Sequence, residues 1–348
     1  MSRGKFIGPG RVYVKMATMP RGRIVGTGST APKKILSNAD LEEIVDTNDE
    51  WIVRRSGIQE RRISSKDLNE TTTDLATQAS LNALDMAGIS ADRLDMIVAG
   101  TVTADRQFPS AACSVQERLN ASNAAAFDVS AGCSGFLYAL SMANNAIQCG
   151  SCKTALVMGV ERLSTILNWE DRGTCVLLGD GAGAVVLTAE NGHEGILSTH
   201  LKSDGSLGNL LYSSEGKSKL PEVVSCVDQK SYHLRMEGNR LFKRAINCLT
   251  SIAREALEHN AMGEADIDSM IPHQANLRII QATAKNLKIS MDKVYTNIHR
   301  YGNTSSASIP LAMDEANRGG HLETGANVLL VSFGAGLTWG ASLLKWAI

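Results

Sequence analysis

Leu94-Asp95-Met96-Ile97-Val98 and Ile267-Asp268-Ser269-Met270-Ile271 stand 173 residues apart, and that spacing decides the fold. Each contains a short apolar run of the length a buried strand needs. Ahead of each lies an apolar helical face. In the first it is Leu75, Ala76, Ala79, Ala83, Leu84 and Ala87; in the second, Leu241, Ala245, Leu249, Ile252, Ala253, Ala256 and Leu257. Ala83-Leu84 and Ala256-Leu257 keep the same offset, as do Ala155-Leu156-Val157-Met158 and Val328-Leu329-Leu330-Val331. Helix–strand alternation can produce one such rhyme by accident, but one offset across three elements reads as an internal duplication. The chain is therefore expected to be α/β, in two halves at residues 23–190 and 191–348. Apolar strands between amphipathic helices imply sheets covered on both faces, with helix and sheet layers alternating about a pseudo-dyad.

Working outward, the 348 residues are about two domains' worth, enough for a large core without staples. Lysine plus arginine total 35 against 36 acids, a formal charge of −1 that argues against a nucleic-acid scaffold or a polybasic membrane binder. Aromatics at 5% leave little for stacking single strands. No stretch approaches the roughly 20 apolar residues of a membrane span. Seven cysteines, an odd number without framework spacing, point to a reducing compartment and a cytoplasmic chain. Residues 1–22 carry Arg3, Lys5, Arg11, Lys15 and Arg21 with no acid before Asp40. They read as an extension: a leader, a cloning remnant, or a stretch ahead of a start at Met19.

Reactive groups in open α/β sheets lie beyond the carboxyl ends of strands. Three polar residues fall there. Cys133 follows the strand-like Ala125–Val129 and a turn at Ala131-Gly132, and precedes a helix that runs towards Gln148. This is the layout of a nucleophile elbow, and a cysteine at a helix N-terminus is expected to favour thiolate. The plainer alternative is a small buried hydrophobe. His273 ends the strand of the second half, where the offset puts Gly100 in the first. Asn303 follows the strand-like Val294–Ile298, and its counterpart by the offset is Ser130, three residues from Cys133. A helix cap is the plainer reading of Gly302-Asn303-Thr304-Ser305. Gly179-Asp180-Gly181-Ala182-Gly183 resembles a dinucleotide loop, but the strand-like Ala184–Leu187 follows where a helix is required. Cys149-Gly150-Ser151-Cys152 has redox spacing but sits at a helix end, and no second pair would complete a zinc site.

Taken together, Phe127-Asp128-Val129-Ser130-Ala131-Gly132-Cys133-Ser134-Gly135-Phe136, His273-Gln274-Ala275-Asn276 and Gly302-Asn303-Thr304-Ser305 resemble the thiolase-fold condensing enzymes. The likeness is greatest to β-ketoacyl-acyl carrier protein synthase III, the initiating condensing enzyme of type II fatty acid synthesis, and extends from about Arg23 to the C-terminus. Thr47–Ile52, Phe108–Cys113, Asp171–Thr174 and Phe333–Gly340 match in the same order. The resemblance implies a thiolase-like five-layered αβαβα fold of two duplicated halves, and a homodimer. It makes Cys133, His273 and Asn303 the catalytic triad, with an oxyanion hole from the N–H groups of Cys133 and Ala335. Trp51 and Arg172 match residues that sandwich the adenine of coenzyme A, and Arg55 follows on the same segment. Gly238 and Asn239 match pantetheine contacts, Phe242 and Phe333 residues near the acyl and malonyl groups. Phe108 matches a residue that reaches towards the partner's acyl pocket. Arg278 matches a basic residue where acyl carrier protein docks.

The implied activity is that of an acyltransferase: decarboxylative condensation of an acyl-CoA primer, acetyl for preference, with malonyl-acyl carrier protein, through an acyl-cysteine and without a metal or redox cofactor. One departure stands out. The family often has three glycines after Phe333, and here the middle one is Ala335. Alanine donates its N–H equally well unless the position demands a positive φ, where a Cβ costs about 1–2 kcal/mol. Two other readings stay open: a related condensing enzyme of secondary metabolism with another primer, and a cysteine thioester hydrolase.

Overall fold

A computed structural model describes residues 19–68, 70–192, 194–213 and 233–348. Of the expected extension at 1–22, residues 1–18 lie outside the described residues, and the first strand begins at Arg21.

The first half runs β1 (Arg21–Thr30), β2 (Ile35–Ser37), α1 (Asn38–Glu42), α2 (Asp49–Ser56), β3 (Glu60–Arg62), α3 (Thr72–Ala87), β4 (Met96–Gly100), α4 (Ala111–Arg118), β5 (Ala125–Val129), α5 (Gly135–Gln148), β6 (Thr154–Arg162) and β7 (Asp180–Glu190). The second runs β8 (Gly195–Ser203), β9 (Leu211–Ser213), β10 (Leu234–Met236), α6 (Gly238–His259), β11 (Ser269–Pro272), α7 (Leu277–Asn286), α8 (Ile298–Tyr301), α9 (Ser308–Arg318), β12 (Asn327–Gly334) and β13 (Thr338–Lys345). Local chemistry sets these bounds. Thr71 caps α3 in a box with Asp74, and Gly88 ends it in the left-handed region at φ 62°.

Two main sheets form. One has the order β1-β7-β6-β4-β5, with β4 parallel to both β5 and β6; the other has the order β11-β12-β13-β8, with β11 parallel to β12. Helices α5 and α9 lie between them, α3 and α4 cover the outer face of the first sheet, and α6 and α7 that of the second. This is the five-layered, duplicated α/β arrangement expected. The offset reaches further than the sequence alone suggested. Besides β6 and β12, α5 and α9 begin 173 residues apart, as do the 3-10 turns Gly132–Ser134 and Ser305–Ala307 that lead into those helices.

One expectation needs correcting. Val294–Ile298 is not a strand: it makes a single bridge from Val294 to Met270 and then turns into α8. The reason is Gln274. Its side chain donates to Tyr295 O and accepts from Asn297 N–H, taking the groups a continuing ladder would use.

The inner core gathers Val98, Phe136, Leu140 and Val157 with Ile309 and Met313 of the other half. Among the described residues no helix is long and apolar enough to cross a membrane. The halves meet so closely that Gly159 has no room for a side chain. A Cβ there would lie 2.1 Å from the carbonyl oxygen of Ser306. Gly159→Ala is expected to cost about 1–3 kcal/mol through backbone displacement, read as a lowered urea midpoint at unchanged slope.

Candidate active site

Cys133, His273 and Asn303 all line one cavity of about 1020 Å³ at the ends of the two sheets. Each is held there by backbone pairing. Cys133 is the middle residue of the Gly132–Ser134 turn, and its carbonyl accepts a 2.8 Å hydrogen bond from Ser332 Oγ. Gly132, at φ +53°, lies so close to Ala335 that a Cβ would meet its nitrogen at 2.9 Å. His273 follows β11, and its N–H donates to Val331 O at 2.8 Å. Asn303 is clamped to the segment before β7: its N–H donates to Leu177 O at 2.8 Å, and Gly179 N–H donates to its carbonyl at 3.0 Å.

The side chains are oriented as firmly. Asn303 Oδ1 accepts from Ser305 N–H at 2.8 Å, which leaves the amide NH2 as the end available to the cavity. Ser308 Oγ accepts from Gln274 N–H and lies 2.6 Å from His273 Nδ1. Among the described residues the Ser308 hydroxyl proton has no acceptor other than Nδ1, so the hydroxyl donates there and the ring hydrogen sits on Nε2. His273 is 4% exposed, and burial pushes its pKa down to about 3. The imidazole is therefore a neutral donor.

Cys133 departs from the sequence expectation of a favoured thiolate. Burial pushes the thiol up to about 11. The Ser305 hydroxyl and the N–H groups of Ala335 and Cys133 pull the other way, while the Glu161 carboxylate adds to the rise. The helix-terminus argument fails because the half-buried cysteine sits in a 3-10 turn ahead of α5, where desolvation outweighs a partial charge. The concern over Ala335 dissolves: the left-handed residue is Gly336, at φ +135°, and Ala335 has no positive φ.

The mouth of the cavity is basic and aromatic. Arg55 Cζ lies 5.3 Å and Arg172 Cζ 5.2 Å from the Trp51 ring centroid, and Arg172 also donates to Asp46 O at 2.8 Å. Arg278 lies 5.2 Å over the Phe242 ring. Gly238, Asn239 and Phe333 line the cavity as well. Phe108 does not; it is 81% exposed, so in a single chain it is no part of the pocket. Among the described residues no group of three or more His, Cys, Asp or Glu could hold a metal ion. Residues 180–183 of the glycine-rich run lie in β7, as a strand rather than a phosphate loop.

Sequence reading passed over Ser308, Ser305 and Glu161. The serines stood in a run that looked like a helix cap. Glu161 carried a usable signal, an acid at the carboxyl end of the apolar run Val157–Val160.

Because His273 is neutral when folded and charges when unfolded, the unfolded chain binds more protons below the ordinary histidine pKa of 6.5. Its contribution to stability is lost as pH falls below that value. Nitrogen-15 spectra of labelled histidine should show this ring still neutral, with hydrogen on Nε2, at pH 5.

Residues 127–205 match the family model for 3-oxoacyl-[acyl-carrier-protein (ACP)] synthase III, and residues 257–346 that for its C-terminal part. The β-ketoacyl-[acyl-carrier-protein] synthase III of Caldanaerobacter subterraneus is 50% identical over 93% of this chain and 97% of its own. The crystal structure of 3-oxoacyl-[acyl-carrier-protein] synthase III from Aquifex aeolicus is 46% identical, covers 93% of this chain and 100% of its own, and superposes with a TM-score of 0.87. That of the priming β-ketosynthase from the R1128 polyketide biosynthetic pathway is 33% identical over 96% of this chain and 99% of its own, with a TM-score of 0.90. Identity of that order over nearly the whole length makes the chain a member of the β-ketoacyl-[acyl-carrier-protein] synthase III family.

Proposed function

We propose the following division of labour for the family's reaction, the condensation of an acyl-CoA with malonyl-acyl carrier protein that initiates fatty acid synthesis. The observation that carries it is the sharing of one cavity by a thiol, a neutral Nε2–H imidazole and an oriented carboxamide. The Cys133 sulfur attacks the acyl-CoA thioester, and the N–H groups of Cys133 and Ala335 hold the developing oxyanion. Coenzyme A leaves and the malonyl thioester enters. His273 Nε2–H and the Asn303 amide donate to its carbonyl oxygen, which stabilises the enolate as carbon dioxide departs. A neutral donor pair suits this step, since no positive charge need be buried in the resting site. The enolate carbon then attacks the acyl-cysteine, forming the new carbon–carbon bond and freeing the sulfur. Every step is nucleophilic or electrostatic and calls on no metal or redox cofactor.

The remaining assignments follow from position. Trp51 and Arg172, now 5.2 Å apart, would part to take the adenine between them, with Arg55 and Arg278 offering charge at the mouth. Gly238 and Asn239 would meet the pantetheine arm, and Phe242 and Phe333 the acyl group. β5 ends its sheet and Phe127 on it is 37% exposed, so a second copy laid along that edge would cover it. In such a homodimer Phe108 would close the partner's acyl pocket and favour acetyl. A cytoplasmic setting agrees with the six described cysteines, all unpaired. The two halves, 23–190 and 191–348, would act as one unit, since each supplies part of the triad.

Three outcomes test this reading. His273→Ala or Asn303→Ala should keep acyl transfer to Cys133, seen as a mass gain with acetyl-CoA, and lose about 10²–10³ in condensation. Retention of full condensation would remove these residues from the chemistry. Trp51→Ala should raise the KM for acyl-CoA about tenfold, in line with about 1–3 kcal/mol for a stacked base. Specificity constants should fall from acetyl- to isobutyryl- to octanoyl-CoA, and Phe108→Ala should narrow the gap. A preference for octanoyl would assign the protein to another pathway.

A further inference from the structure

Glu161 is fully buried near the end of β6, where an acid without a cation is seldom found. Its carboxylate is ringed by donors. Val102 N–H donates at 3.2 Å, the Thr101 hydroxyl at 3.3 Å and the Ser305 hydroxyl at 3.2 Å; the Thr103 hydroxyl completes the set, while the Ser306 hydroxyl, 3.2 Å away, gives its shorter bond to Gly100 O at 2.6 Å. The neighbouring charges turn away: Arg162 pairs with Asp105, and Asp180 is taken up by Ser64 and Ser164. Ser305 has a second contact. Its turn packs against the turn that carries Cys133, and both residues line the cavity. Ser305 sits at φ 50°, a strained region for a residue with a side chain, of the kind held by surrounding structure at functional sites.

The acylation step leaves one question, namely where the thiol proton goes. His273 is a poor acceptor, because it is desolvated and its Nδ1 already takes the Ser308 proton. Loss of the proton to water would put a thiolate beside the Glu161 carboxylate, two negative charges in one buried site. A hydroxyl between them can accept on one lone pair while it donates its own hydrogen.

We propose that Ser305 and Glu161 form a relay that takes the Cys133 proton during acylation and returns it after condensation. As the sulfur bonds to the acyl carbon, the S–H proton passes to Ser305 Oγ and the Ser305 O–H proton passes to Glu161, while the thioester bond to coenzyme A breaks and its electron pair leaves with coenzyme A. When the enolate attacks the acyl-cysteine, the C–S bond breaks, its electron pair returns to Cys133 Sγ, and the proton travels back by the same route. The negative charge given up by Glu161 departs on the coenzyme A thiolate, so the acylated site is neutral, and Glu161 regains its charge when the proton returns to sulfur. Ser305 stands between the turn of the reacting sulfur and the carboxylate, and Glu161 acts through it. Burial pushes the Glu161 carboxyl up to about 7, so its accepting form is present above that pH and is lost below it.

The inference rests on Cys133 as the acylated residue, so the wild-type protein is tested first. Rapid-quench mass spectrometry with acetyl-CoA between about pH 5.5 and 9 should show acylation of Cys133 with an acid limb near pH 7. No mass gain on Cys133 would overturn the assignment of the nucleophile itself. Glu161→Gln should slow acylation about 10²-fold, remove the acid limb, and slow malonyl-thioester decarboxylation much less. Glu161→Asp should restore part of the rate together with the limb. Should Glu161→Gln fail to fold, Ser305→Ala carries the same test, since it keeps the carboxylate and cuts the path. Acylation at the wild-type rate and pH profile in these variants would overturn the relay. So would equal loss of both half-reactions without rescue by aspartate, which would mark Glu161 as structural.

Discussion

The 3-10 turns Gly132–Ser134 and Ser305–Ala307 touch each other where the duplicated halves meet, and the site depends on that contact. It is possible only because the surrounding positions lack bulk. A Cβ on Gly100 would lie 2.4 Å from the Gly135 carbonyl carbon, and one on Gly135 would crowd the Ser306 side chain at 3.3 Å. Backbone packed against backbone is less compliant than side chain against side chain. The sulfur on one turn and the hydroxyl and amide on the other are therefore fixed relative to one another by the main chain. Divergence of the two copies set the side chains: Cys133 stands where the other turn has Ser306, and Gly132 where it has Ser305.

Electrostatics explains why the site is built from neutral partners. His273 and Glu161 are withdrawn from water and Cys133 is half-buried at the end of the cavity, and desolvation pushes each towards its uncharged form. A cysteine–histidine ion pair, the usual route to a reactive thiol, is disfavoured because the imidazole cannot hold a proton here. What the fold offers instead is a set of fixed dipoles: the N–H groups about the sulfur, the Nε2–H of His273 and the Asn303 amide. Such dipoles need no rearrangement when charge develops in a transition state.

Much of this was legible in the sequence because it rests on periodicity. The offset of 173 residues exposed the duplication, since strands and helices of a repeat must recur at one spacing to pack alike. That Cys133 and His273 would meet in one cavity was legible because both follow strand-like runs in a duplicated frame. Two things were not. The fate of Val294–Ile298 depended on Gln274, 20 or more residues away, whose amide displaces a strand ladder. The protonation of Cys133 depended on burial, which local pattern does not report, so the helix-terminus argument gave the wrong sign. Ser305 and Glu161 were hidden for a related reason: a hydroxyl near a helix start and an acid near a strand end each have an ordinary local explanation, and only their convergence across 144 residues makes them notable.

The position of α9 bears on how the molecule is made. The helix is inserted between the sheets, and its Asp314 accepts hydrogen bonds from Thr27 and Ser29 on β1, across 287 and 285 residues. Until a nascent chain has been extended past Arg318, the inner face of the first sheet, with Val98, Val157 and Val185, lacks that cover. The first half thus leaves the ribosome as an open apolar surface rather than a finished domain. Its completion waits on contacts of very long sequence separation, the condition under which folding is slow and nascent chains call on chaperones.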